Sequence, residues 1–239
     1  RPVTLAAQLN IPIHCHVHET RYEVDESRRL HGLTPLARLK RLGLLGPGFI
    51  GVHCVHRADD DLELLAATGC SVAHCPTSNL KLASGLAPVA RMRQLGINVG
   101  LGTDGAASNN RLDMFGEMRL AALLAKGGSG DATTLPAREA LRMATLDGAT
   151  ALGLGNEIGS ITPGKAADLV AVNLKGLNTK PCYDPLSHLV YVADRECVTH
   201  VWIAGKCCVD HKRVVGNGGN DLESAIALWQ NRLEVRREP

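Results

Sequence analysis

Ile11-Pro12-Ile13-His14-Cys15-His16-Val17-His18-Glu19-Thr20 and Ile97-Asn98-Val99-Gly100-Leu101-Gly102-Thr103-Asp104-Gly105 are the two stretches that decide the fold class. In both, apolar residues alternate with small or polar ones, and successive residues of a strand point to opposite faces. Ile11, Ile13, Cys15 and Val17 share one face of the first run, and His14, His16 and His18 share the other. In the second, Ile97, Val99 and Leu101 oppose Asn98, Gly100, Gly102 and Asp104. Between them, Phe49–Cys54 sets Ile50, Val52 and Cys54 against Gly51 and His53. One face therefore suits a covering layer of helices, and the other is small or polar and ends in a ligand-type residue.

Outward from these runs, short apolar segments alternate with longer stretches of 3.6-residue period. Ile11–Val17 precedes Asp25–Leu45, Phe49–Cys54 precedes Asp59–Ala67, Cys70–Cys75 precedes Val89–Leu95, and Ile97–Leu101 precedes Leu112–Leu124. Such alternation predicts βα units and a parallel sheet. Polar groups at strand ends suit the C-terminal mouth of a barrel, where catalytic side chains come from several strands. Four strands are only half of an eight-stranded barrel and leave two open edges. Either the remaining strands lie upstream of Arg1 or the sheet is open. The chain starts without Met and runs straight into a helical pattern (Leu5, Ala6, Leu9), as expected if Arg1 is not a natural N-terminus.

Downstream, Gly127-Gly128-Ser129-Gly130 is expected to be a mobile connection, with helices over Pro136–Leu146 and Gly148–Leu152. From Gly159 the texture turns β-rich, with strands at Leu169–Val172 and Val198–Ile203. A last helix, Asp221–Val235, carries Leu222, Ile226, Trp229 and Leu233 on one face that should be buried. The expected domains are 1–155 for the barrel strands and helices, 156–215 for a β-sandwich segment, and 216–239 for the terminal helix.

A 45% hydrophobic share with 21% charged residues and a net charge of +2 is the balance of a globular chain with a sizeable core, which excludes disorder as a description of the whole. No basic run is interleaved with aromatics, so nucleic acid is an unsuitable partner and a small molecule is expected. No stretch approaches the ~20 apolar residues of a membrane span, and the chain reads as cytoplasmic. The eight cysteines form no C-x-x-C pair, so buried reduced thiols are expected.

Three of the four strand ends carry His or Asp: His16 with Glu19 three residues on, His53, and Asp104. Imidazole and carboxylate are ligands for zinc, and for iron or manganese in suitable geometry. A lone His at a strand end is ordinarily a packing residue; the joint placement points to a mononuclear hydrolytic site. His74 reads as structural, or as backing the site. Ser108 and Asn79 sit where side chains cap helices, and Ser108 can also orient Asp104. His18, His56, His188, His200 and His211 default to surface or packing roles. Gly100, Gly102 and Gly105 lack the order of a dinucleotide fingerprint.

His16-Val17-His18-Glu19-Thr20, His53-Cys54-Val55, Pro76-Thr77-Ser78-Asn79-Leu80-Lys81-Leu82-Ala83-Ser84-Gly85 and Leu101-Gly102-Thr103-Asp104-Gly105-Ala106-Ala107-Ser108-Asn109 closely resemble the 5-methylthioadenosine/S-adenosylhomocysteine deaminases, a group of the amidohydrolase superfamily that stands beside the s-triazine hydrolases. The likeness extends to Gly159-Ser160-Ile161-Thr162-Pro163-Gly164-Lys165-Ala166-Ala167-Asp168-Leu169-Val170. It implies the C-terminal half of a (β/α)8 TIM-type barrel, strands five to eight, plus the C-terminal part of a small β-sandwich, with the N-terminal strands missing. It implies His16 and Asp104 as metal ligands, and Glu19, His53 and Asp104 as catalytic groups. Glu19, Asp104 and Ser108 would meet the substrate. One Zn2+ per subunit is implied, with Fe2+ or Mn2+ as alternatives, and so is a homo-oligomer. The family's remaining ligands, a His-x-His pair at strand one, would precede Arg1. His14-x-His16 and His16-x-His18 imitate that pair, but the Glu-Thr that follows and the three later strands put this segment at strand five. The implied activity is hydrolytic deamination of an adenosine derivative. Its rivals are hydrolysis of an s-triazine or other heterocycle, and an inactive fragment lacking the strand-one ligands.

Overall fold

Residues 2–57, 59–216 and 222–234 are described by a computed structural model. After helix α1 (Pro2–Leu9), strands β1 (Ile13–Val17), β2 (Phe49–His53), β3 (Ser71–His74) and β4 (Asn98–Leu101) pair in parallel, in the order β1-β2-β3-β4. Parallel neighbours need crossovers, and helices supply them. These are α2 (Arg21–His31) and α3 (Pro35–Arg41), then α4 (Asp59–Thr68), then α5 (Pro76–Lys81) and α6 (Val89–Gln94).

Local chemistry sets these boundaries. The one helix expected over Asp25–Leu45 is two, because Gly32 takes the left-handed conformation (φ +68) that closes α2. Thr34 then accepts from the Ala37 N–H and Pro35 occupies the first turn of α3. At the start of α2, Thr20 Oγ1 accepts from Glu23 N while the Glu23 carboxylate accepts from the N–H groups of His18 and Glu19, a reciprocal cap. It holds the end of β1 to the helix that follows.

α7 (Met114–Ser129), α8 (Ala137–Met143) and α9 (Leu146–Ala151) complete this layer. The mobile connection expected at Gly127-Gly128-Ser129-Gly130 is corrected: α7 runs through Ser129 and ends at Gly130 (φ +67). Two helical glycines cost about 1 kcal/mol each relative to Ala. Burial of Met118, Ala121 and Ala122 opposes that cost, as do the Lys126 Nζ hydrogen bonds to the Thr134 and Leu135 carbonyls. Helices cover one sheet face, where Val17, Phe49, Val72 and Val99 pack in one core with Leu36, Leu62, Leu65 and Met92. On the other face a Cβ on Gly100 would stand 2.9 Å from Gly148 Cα, so α9 meets β4 backbone to backbone.

The ladder corrects one strand. His16 pairs with Val52 and Val17 with His53, and partners in a parallel ladder share a face. Ile50 and Val52 therefore lie on the His16 side, and Gly51 and His53 on the Val17 side, the reverse of the expectation for β2.

The chain divides into two compact units. The first runs to Lys165 and takes in Leu174–Arg195, which includes α10 (Pro185–Tyr191), packed on α7 and α8. The second holds an antiparallel sheet in the order β5 (Leu169–Val172), β6 (Val198–Ile203), β7 (Lys206–Asp210), β8 (Arg213–Val214), and helix α11 (Leu222–Glu234). Of the expected last helix, Asp221 and Val235 lie outside the described residues. Leu222, Ile226, Trp229 and Leu233 are exposed, not buried. Among the described residues no helix is long and apolar enough to cross a membrane. Cys54, Cys70, Cys75 and Cys197 are buried and the other four cysteines partly so.

Candidate metal centre

Three strand ends of the first unit converge. Ligand atoms of His16, His53 and Asp104 all lie within 4.8 Å of one another. His16 Nε2 is 3.6 Å from Asp104 Oδ1, and His53 Nε2 is 3.9 Å from Asp104 Oδ2 and 3.7 Å from Glu19 Oε2. The two imidazoles stack with centroids 5.0 Å apart. The structure thus brings together all four residues singled out at the strand ends. His53 reaches the others despite its place in the ladder because alternation stops there: His53 (φ +72) and Cys54 (φ +47) are left-handed, as are Asp104 (φ +60) and His18 (φ +56). For residues with a Cβ that conformation costs about 1–2 kcal/mol each, and such strain concentrates at functional sites.

Asp104 is held by two hydroxyls. Ser78 Oγ and Ser108 Oγ donate to Oδ2 at 2.6 and 2.7 Å. Burial by itself would raise the Asp104 pKa. The two hydroxyls, the Gly105 N–H and nearby His53 outweigh burial and hold it at about 2, so the group is an anion at neutral pH. Ser108 does what one of its two expected roles requires. Asn79 does not cap a helix; it lies inside α5, buried, with Oδ1 2.8 Å from His53 Nδ1. With the amide oxygen accepting, Nδ1 carries the hydrogen and Nε2 turns a lone pair toward the cluster.

Ser78 escaped the sequence reading. Only its place beside Asn79 in a polar segment directly after a strand hints at a role, since nothing in the residue type tells an interior hydroxyl from a surface one. Glu117 is a second such residue. Fully buried on α7, it accepts from Thr77 N at 3.1 Å and from Asn109 Nδ2 at 2.7 Å, tying α5 to the loop that carries Asp104 and Ser108.

The remaining histidines sort by partner. His18 is buried, and its Nε2 accepts from Leu36 N in the first turn of α3. Burial lowers its pKa against the opposing pull of Asp61 and Glu23. His56 Nε2 is 2.6 Å from the Ser84 carbonyl, and Ser84 Oγ is 3.5 Å from Glu19 Oε1. His74 lies behind the site, its pKa pushed down to about 4 by burial and by His53, with no hydrogen-bond partner for Nδ1 among the described residues.

Two imidazoles and an ionised carboxylate at this spacing suit a divalent ion of zinc type, whose bonds to nitrogen and oxygen are about 2.0–2.2 Å. A parallel sheet that offers such ligands at its C-terminal ends is the architecture of metal-dependent hydrolases built on barrels. Residues 3–208 match the amidohydrolase family, and the chain belongs to it. It is 43% identical over 237 residues to a 5-methylthioadenosine/S-adenosylhomocysteine deaminase of Teredinibacter turnerae, covering 99% of this chain and 54% of that protein. An adenosine deaminase from Xanthomonas campestris, solved with bound zinc, superposes with a TM-score of 0.95 at 48% identity over 98% of this chain and 53% of that one. Atrazine chlorohydrolase from Arthrobacter aurescens, also solved with zinc, gives 0.87 at 30% identity over 95% and 50%. The chain spans about half the length of the curated relatives it matches.

Proposed function

We propose that β1 to β4 are strands five to eight of an eight-stranded barrel, and that the whole protein hydrolyses the exocyclic C–N bond of an adenosine derivative such as methylthioadenosine or S-adenosylhomocysteine, releasing ammonia. The observation that carries this reading is the convergence of His16, His53 and Asp104 with Glu19 beside them. Similarity to deaminases that act on adenosine derivatives supports the substrate class.

His16 and Asp104 would hold the ion, Zn2+ by preference, with His53 within ligating reach. A divalent ion there would act as a Lewis acid, lowering the pKa of the attacking water from about 15.7 toward about 7. Asp104 accepts the proton of that water and passes it on to the departing amino group. Its two hydroxyl hydrogen bonds keep it ionised beforehand. Glu19 donates a proton to the ring nitrogen next to the carbon under attack, which concentrates positive character on that carbon, and takes back the remaining proton of the added hydroxyl as the C–N bond breaks, ammonia leaves and the carbonyl forms. His53 orients the water through Nε2, its ring fixed by Asn79. Ser108 positions Asp104 against the substrate.

A second reading, hydrolysis of s-triazines, is favoured by the likeness to atrazine chlorohydrolase. Ammonia release from a panel of adenosine derivatives, set against amine or chloride release from a panel of triazines, decides between them. Turnover of adenosine derivatives alone is expected; turnover of triazines alone overturns the deaminase reading.

A further inference from the structure

The second unit carries a cluster that the proposed reaction does not use. The β6–β7 ladder pairs Val201 with Val209, which sets His200 across from Asp210. His211 follows, in the two-residue turn to β8. Both turn residues are left-handed, His211 at φ +46 and Lys212 at φ +68, as a tight two-residue hairpin requires. His200 Nε2 is 3.1 Å and His211 Nδ1 2.7 Å from one carboxylate oxygen, Asp210 Oδ1. The two rings meet edge to face at 4.6 Å, and ligand atoms of all three residues lie within 4.8 Å of one another.

Hydrogen bookkeeping shows what this arrangement lacks. Thr199 Oγ1 donates to the Ala171 carbonyl at 3.2 Å, and a hydroxyl has one hydrogen to give. With that hydrogen given to Ala171, the Thr199 oxygen accepts from His200 Nδ1, 3.0 Å away, and Nδ1 carries the hydrogen. A neutral His200 then faces the carboxylate with a lone pair at Nε2, two acceptors in contact with nothing positive between them. A cation bound by the three residues removes the conflict, and the bond from Thr199 fixes the imidazole in the tautomer that can ligate. Two imidazoles and one carboxylate favour a transition-metal dication over Mg2+ or Ca2+, which take oxygen ligands. We propose that His200, Asp210 and His211 form a second metal site, built wholly within the second unit, for one transition-metal dication of the Zn2+, Ni2+ or Cu2+ class.

Trp202 stacks on His200 at 5.4 Å and serves as reporter. The chain has two tryptophans, so Trp229→Phe leaves Trp202 as the single source of signal. In that background Cu2+ is expected to quench Trp202 saturably at one equivalent. His211→Ala and Asp210→Asn, which leave the Trp202 stack in place, should each raise the apparent Kd at least tenfold. Equilibrium dialysis against Zn2+ should find one ion fewer per chain in both variants, with circular dichroism matching the parent. Absence of saturable quenching in the parent, or quenching and ion counts unchanged in both variants, overturns the proposal; the first result would mean that a proton, rather than a metal, sits between His200 and Asp210.

Discussion

The cluster at the ends of the parallel strands and the one on the antiparallel hairpin use the same residue types, two histidines and an aspartate, on different foundations. Beneath the first lies a buried layer. Ser78 and Ser108 hold Asp104, and Asn79 holds His53. The second is more open to solvent, with the Asp210 and His211 side chains 57% and 83% exposed and His200 25%; Thr199 bonds His200 Nδ1 and Trp202 stacks on its ring. On the proposed readings, side-chain chemistry would select the kind of ion in both places, while the buried layer of the first would fix geometry and charge before a substrate arrives, which turnover demands and simple binding does not.

The contrast is tested most severely by the groups proposed to move protons. In the whole enzyme, Glu19→Gln is expected to lower kcat by about 10²–10⁴-fold with metal content unchanged on elemental analysis. Asp104→Asn should lower both, since it removes an acceptor and a ligand at once; full metal content in that variant would remove Asp104 from the ligand set. Next in size is a dependence on pH from buried His74. Its folded pKa of about 4 lies below the reference 6.5, so between those values the unfolded chain binds a proton that the folded chain does not. Stability is therefore whole above pH 6.5 and falls by about 1.4 kcal/mol per pH unit as the pH drops toward 4. Urea unfolding at pH 7.5, 6 and 5 measures the slope, and His74→Asn should flatten it.

Smaller effects compare the supporting residues directly. Asn79→Leu removes the partner of His53 while keeping the branched shape of the side chain, and a loss of about 10–100-fold in turnover or metal affinity is expected. Thr199→Val on the hairpin should weaken metal binding by no more than about fivefold, ~1 kcal/mol, because solvent can supply a partner to a partly exposed imidazole. Equal losses at the two positions would show that burial does not distinguish the clusters.

Much of the first cluster could be read from the linear chain because barrel chemistry collects at strand ends, and a His or Asp closing an apolar run stands out there. The face of His53 could not, since two left-handed residues, His53 and Cys54, reverse what alternation dictates. Ser78, Asn79 and Glu117 were missed or misassigned for a related reason. Their polar side chains look like surface residues until the partners that neutralise their burial, Asp104, His53, Thr77 and Asn109, are brought beside them. The hairpin histidines gave no signal either, because His200 and Asp210 face each other only across a ladder.

Local patterns settled the βα alternation, the residue types for a metal site and the family likeness, all of which depend on neighbours within a few positions. Folding in three dimensions settled which face each strand presents, the anionic state of Asp104, the fixed ring of His53 and the pairing of His200 with Asp210. Those properties arise from contacts that only the fold brings together, and around Asp104 and His53 burial makes each hydrogen bond count for more than it would in water.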